Sequence, residues 1–233
     1  MDNFDIYVGI DPSINSTGIC ILTYKNNELY KENFYIVKPN KLTKKEQQIS
    51  IKNFEYKLYE KYDLSEFKSE NRIEEYYKTL NFIAIVDNIF YCVKTFTKKH
   101  KDATIYICQE GISYGSTIRT KSVFDLAGLN FMIRQKFCTY DKKELKNKLL
   151  FFIGTPGEIK KFATGKGNAN KELMKLCFSS IHKDLTIIPK YDDLADAYFM
   201  ANYAKYVKEN SELLKVNEQD ISEILQETKE SKS

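Results

Sequence analysis

Histidine occurs only twice in these 233 residues, at His100 and His182, and the five cysteines (Cys20, Cys92, Cys108, Cys138, Cys177) are scattered, with no CxxC pair. So few ligands argue against a zinc site, and an odd, unclustered set of thiols argues against a disulfide framework. No apolar run approaches the length of a membrane span. The opening MDNFDIYV lacks a basic, apolar leader, so the expected setting is cytoplasmic or nucleoid-associated, not secreted, with no membrane partner. Internal repeats and low-complexity linkers are missing as well. Net charge is only +4, too small to imply a nucleic-acid partner by itself.

The composition that remains, 42% apolar and 29% charged, is that of a soluble globular protein. A chain of this length buries one good core, so a single domain over 1–207 with a tail at 208–233 is expected. The distribution of charge says more than its sum. Residues 141–190 hold eleven lysines against five acids, whereas 208–233 hold four lysines against seven acids. A basic segment before an acidic tail fits a polyanion-binding face with a solvated end, or simply an uneven surface.

Three strands are expected over residues 5–37, with Asn26-Asn27 marking a hairpin turn. Residues 38–70, crowded with Lys, Glu and Tyr, form an inserted and partly helical arm on this reading. Helical spacing runs from about Arg72 to Lys98, and again over Ser122–Phe137, Asn170–Ser179 and Asp192–Val207. Short strands are expected at Thr104–Gln109 and Leu149–Ile153. Strands alternating with helices after an opening meander indicate an α/β layer fold around a mixed sheet.

Two of these strands end in an acid. "YVGIDPSINSTGIC" carries Asp11 at the tip of an apolar run, and "TIYICQEG" carries Glu110 in the same way. In "YDDLADAYFMANYA", Asp193 and Asp196 are three apart at a helix start, so both carboxylates lie on one face. Taken singly, Asp11 could be a turn residue and the aspartates could complement a helix dipole. Taken together, converging carboxylates repel strongly unless a cation sits among them. Oxygen-only donors suit Mg²⁺ or Mn²⁺, and two such ions can activate water and stabilise a leaving oxygen at a phosphodiester.

The blocks "GIDPSINSTGI", "ICQEGISYGS", "TPGEIKKFATGKGNANK" and "DDLADAYFMA", in this order, resemble the signature blocks of RuvC-type Holliday junction resolvases over residues 5–37 and 72–207. The resemblance implies an RNase H-like fold, with a mixed five-stranded sheet flanked by helices and an inserted arm. It implies a homodimer making paired, Mg²⁺-dependent nicks across a four-way DNA junction. Carried over to this chain, the metal-binding acids fall on Asp11, Glu110, Asp193 and Asp196, with Asp192 a neighbour. They would hold two Mg²⁺ or Mn²⁺ ions.

In the basic block, Lys160, Lys161, Lys166 and Lys171 surround Gly165 and Gly167, where backbone N–H groups can approach phosphates and lysines supply charge. The GxxxxGK[ST] spacing of a P-loop is absent. By the resemblance, Lys160 and Lys171 lie beside the scissile phosphate, Lys171 is catalytic, and Tyr114 is an aromatic that enters the junction centre. Leu126, Ala127, Leu129, Asn130 and Ile133 form a stripe that is either the dimer interface or ordinary core. The arm 38–70 exceeds the family's usual connection and could add DNA contacts, a partner surface, or nothing. Within nucleases, a flap, branch or packaging-associated enzyme would use the same acids, and a non-catalytic DNA-binding protein on this fold is the alternative outside them. An actin-like sugar kinase shares the GxDxxxxxTG opening but needs a larger two-lobed chain.

Overall fold

The structure, a computed structural model, describes residues 4–63, 71–111, 121–140, 143 and 145–210. Tyr114, residues 64–70 of the arm and most of the acidic tail (211–233) lie outside the described residues.

Strands β1 (Phe4–Asp11), β2 (Thr17–Lys25) and β3 (Glu28–Pro39) form the expected antiparallel meander. Asn26 and Asn27 both take positive φ, 50° and 67°, as the hairpin turn between twisted strands requires. After the arm, α2 (Asn71–Thr97) leads into β5 (Thr104–Glu110), and α3 (Lys121–Cys138) leads into β6 (Leu149–Gly154). Both strands join the sheet in parallel, β5 against β1 and β6 against β5. The chain closes with α4 (Pro156–Thr164), α5 (Lys171–Ile181), a 3₁₀ turn and α6 (Tyr191–Asn210).

The sheet has six strands, not five, in the order β4-β3-β2-β1-β5-β6. The extra strand, β4 (Phe54–Tyr59), comes from the arm and lies parallel to β3 at the sheet edge. The only helix described in the arm is the single turn α1 (Lys44–Gln47), capped by a reciprocal Thr43–Glu46 box. The described part of the arm thus adds one edge strand and one helical turn, joined by irregular segments. Tyr59 donates its hydroxyl to the Ile14 carbonyl at 3.1 Å, and Lys61 reaches Asn15 at 3.4 Å. Both contacts brace the loop that follows Asp11.

Period-two alternation splits the strands between two cores. Ile6, Val8 and Ile10 of β1 face α2 and α3, whereas Tyr7 and Gly9 face the helices at the chain end. The result is a mixed sheet with helices on both faces.

Part of the α3 stripe resolves as core, while Leu126 and Ala127 are only half-buried. Leu129 and Ile133 are fully buried against the sheet, and Asn130 is buried and hydrogen-bonded to Gln109. On the outer side, Phe124 and Phe131 are exposed. An interface through Leu129 is thereby excluded. Leu129→Asp is expected to unfold the protein, since it places a charge in an apolar core at a cost of several kcal/mol. A Leu129→Asp protein that melts cooperatively within a few degrees of wild type would contradict this placement.

Candidate active site

Asp11 and Glu110 end adjacent parallel strands whose last paired residues are Ile10 and Gln109. With strands about 4.8 Å apart, in-register ends place the two carboxylates side by side on the same face. Gln109 points to the opposite face, where its amide is bonded to Asn130 of α3, which fixes the strand end from behind.

The other two acids are delivered by α6, and the reason is close packing. A Cβ at Gly9 would lie 1.9 Å from the Ala197 carbonyl oxygen, and one at Gly18 would lie 2.1 Å from the Asp193 carbonyl oxygen. Nothing larger than glycine fits under the helix at these two points. Along α6, Ala195, Ala197, Ala201 and Ala204 are buried, so small residues line both sides of the contact. The first turn of α6 is thereby pressed onto Gly18 of β2, the residue paired with Asp11.

The acids act on one another electrostatically. Burial pushes Asp11 well above the usual carboxylate range, and repulsion from Asp196, Glu110 and Asp193 adds to it. Glu110 rises to about 7, first through burial and then through Asp196. Asp196 rises to about 6, chiefly through burial. Asp193 is raised by burial as well, while the Ser16 hydroxyl beside it pulls the other way. Asp192 differs: despite burial it is lowered, because Lys171 donates to it. Asp192 thus differs from the four raised acids in having an ion pair of its own, although it still raises Asp193 and Asp196.

Of the lysines, Lys171 and Lys160 are drawn to the acids. Lys171 acts on Asp11, Glu110 and Asp196, and Lys160 acts on Glu110 and Asp196, each favouring the charged carboxylate. The capping box of α4, Thr155 with Glu158, and the Asn170 cap of α5 set the helices that carry them. Lys161 and Lys166 remain exposed at the end of α4 and in the turn after it. Ser16 and the bracing residues Tyr59 and Lys61 were not singled out from sequence. Ser16 belongs to the polar loop after Asp11, which was its only signal.

No protein-family model and no curated protein sequence matches this chain. Among solved structures it is similar to Thermus thermophilus RuvC, with 14% identity and a TM-score of 0.46, covering 88% of this chain and 95% of that one. The same protein in complex with Holliday junction substrate gives 14% and 0.46, over 88% and 96%. The yeast mitochondrial Holliday junction resolvase Ydc2 gives 11% and 0.43, over 87% and 80%. Identities this low assign no residue roles. Those rest on the side chains themselves.

Among the described residues, no three His, Cys, Asp or Glu side chains are placed to hold a metal ion as they stand. The donor set nonetheless suits a hard divalent cation in kind: carboxylate oxygens only, partly buried, each raising the proton affinity of the next. Like charges turn away from one another unless a cation intervenes, so side-chain rotation would be needed to close the set.

The raised values make a pH prediction whose sign is definite. Between the unfolded carboxylate range and about 7, the folded protein holds protons that the unfolded chain releases. Stability in chelator should therefore fall as pH rises from about 5 to 7.5. His100 and His182, both lowered, act in the opposite direction. The measurement is accordingly a comparison of melting curves for wild type and Glu110→Gln. The variant should lose less stability over that range, by several degrees in Tm at about 2–4 °C per kcal/mol. Parallel pH profiles would mean that Glu110 is not strained by its neighbours.

Proposed function

We propose that this protein is a divalent-metal-dependent DNA endonuclease that acts on branched DNA, with the four-way junction as its substrate. The observation that carries the reading is the gathering of Asp11, Glu110, Asp193 and Asp196 at one sheet end, with Lys160 and Lys171 beside them. Burial raises the proton affinity of all four carboxylates, so their charged forms are disfavoured in the fold unless a cation balances them. A cation held among them would balance that cost.

Asp11, Glu110, Asp193 and Asp196 would hold Mg²⁺ or Mn²⁺, two ions on this reading. A bound cation would supply Lewis-acid polarisation of the phosphodiester and a nucleophilic water at neutral pH. The protein's own contributions are charge and position. Lys171, ion-paired with Asp192, and Lys160, which acts on Glu110, would meet the added negative charge of the phosphate in the transition state. Lys161 and Lys166, exposed along the same block, would grip the backbone. Tyr114 is assigned to the junction centre on the strength of the sequence resemblance alone. Symmetric nicking needs two sites at a fixed spacing, which a two-fold homodimer supplies. With Leu129 and Ile133 committed to the core, such a dimer must use other surfaces.

The test is to offer purified protein labelled four-way, flap, Y-shaped and linear DNA, with Mg²⁺ and with chelator, and to map the cuts. Paired, symmetric nicks in the four-way substrate that vanish in chelator are expected. Preferential cutting of flaps would move the reading to the branch or packaging type of nuclease. Binding of every substrate with no cutting in any divalent metal would leave a DNA-binding protein.

A further inference from the structure

A second cationic feature lies away from the acid cluster. Lys94, Lys98, Lys101, Lys143 and Lys146 line a pocket of about 170 Å³. It sits between the end of α2, the turn that enters β5, and the segment that enters β6. Those are the N-terminal ends of the parallel strands, while Glu110 ends β5 at the other side. Six residue steps along β5 at about 3.3 Å each separate the two places by about 20 Å.

Over 94–103 and 143–148 the sequence places seven lysines against two acids, Asp102 and Glu144. The wall is held by Asn147, which donates to the carbonyls of His100 and Ala103 at 2.7 and 2.8 Å. Thr97 turns its hydroxyl to the carbonyls of Val93 and Lys94. Asn147 and Thr97 thus shape the pocket, and Lys98, Lys101 and Lys146 add positive charge to its lining. At about 30 Å³ per water, its volume admits a phosphate group with some of its hydration.

We propose that this pocket is a second phosphate-binding site, occupied by the backbone of a DNA arm running past the sheet end opposite the acids. The DNA source rests on the endonuclease reading; the anion chemistry does not. An arm held here and cut at the acid cluster would be gripped at two points about 20 Å apart, roughly six base pairs at 3.4 Å each. That would fix its direction across the protein.

The test uses the full chain carrying Lys98→Glu and Lys101→Glu, both exposed positions, with melting curves to establish folding. The double variant should bind a four-way junction about tenfold more weakly or worse, and its log K against log salt slope should fall by one to two units. Ethylation of phosphates several base pairs from the nick should impair binding by wild type and not by the variant. Equal affinity and slope for both proteins would overturn the proposal. Titration with inorganic phosphate, followed by amide shifts at Lys98, Lys101 and Asn147, separates the sources. Shifts there in a protein that binds no DNA would overturn the DNA source and point to a free anion. Loss of junction binding in the variant, with cleavage of the residual complex intact, would support the proposal even if the cutting pattern proved to be that of a flap nuclease.

Discussion

Asp11→Asn should lower strand cleavage by roughly a thousandfold or more while DNA binding stays within a few-fold of wild type. Asp11 is the hub of the acid cluster. Asp196, Glu110 and Asp193 all act on it, and it sits at the end of the central strand β1, between β2 and β5. Replacing one carboxylate oxygen by an amide keeps the shape and removes the charge that a cation would need. Because the charge is strained when no cation balances it, the same change should raise the melting temperature in chelator. Loss of activity together with a gain in stability is hard to obtain from damage to the fold. Asp192→Asn is the control: Asp192 is engaged with Lys171 and should cost far less activity. Cutting by Asp11→Asn at close to the wild-type rate would remove the four-acid site from consideration.

The second large effect is expected from glycines that touch no substrate. Gly9→Ala would push a methyl to within 1.9 Å of the Ala197 carbonyl oxygen, where two backbones meet and neither can yield cheaply. Overpacking of this kind costs about 3 kcal/mol or more, a fall in Tm on the order of 10 °C for a domain of this size. Gly18→Ala meets the Asp193 backbone at the very start of α6, where the helix can lift slightly. Its stability cost should be smaller and its catalytic cost larger, about a hundredfold, since a shift near 1 Å in a metal-binding carboxylate is enough. The pair is read by melting and by cleavage rate. If Gly18→Ala cuts like wild type, the seating of α6 on β2 does not position Asp193.

Much of this was legible in the chain. The meander with its Asn26-Asn27 turn, the four longer helices and the strands ending in acids all follow local rules of periodicity, turn chemistry and propensity. The arm's edge strand is hard to read because "FEYKLY" at 54–59 carries charges on alternate positions and reads as a polar segment until a partner strand is present. Its alternation was a usable signal, masked by the surrounding Lys and Glu. The α3 stripe was ambiguous for a different reason. Leu129 and Ile133 mark an apolar face, but a face says nothing about whether a sheet or a second subunit covers it.

By itself, then, the sequence determined which residues could do chemistry: acids at strand ends, two more one helical turn apart, and lysines around Gly165 and Gly167. Local order carries that information because it depends on neighbours a few positions away. Only the tertiary structure decided which of them act together. It placed Asp11 beside Glu110 through strand register, and it seated α6 on Gly9 and Gly18. It also drew Lys171 to Asp192 and left Lys161 and Lys166 outside. Most of these contacts join residues about 100 to 190 positions apart, and they are set by how sheet and helix pack, which depends on the whole chain at once.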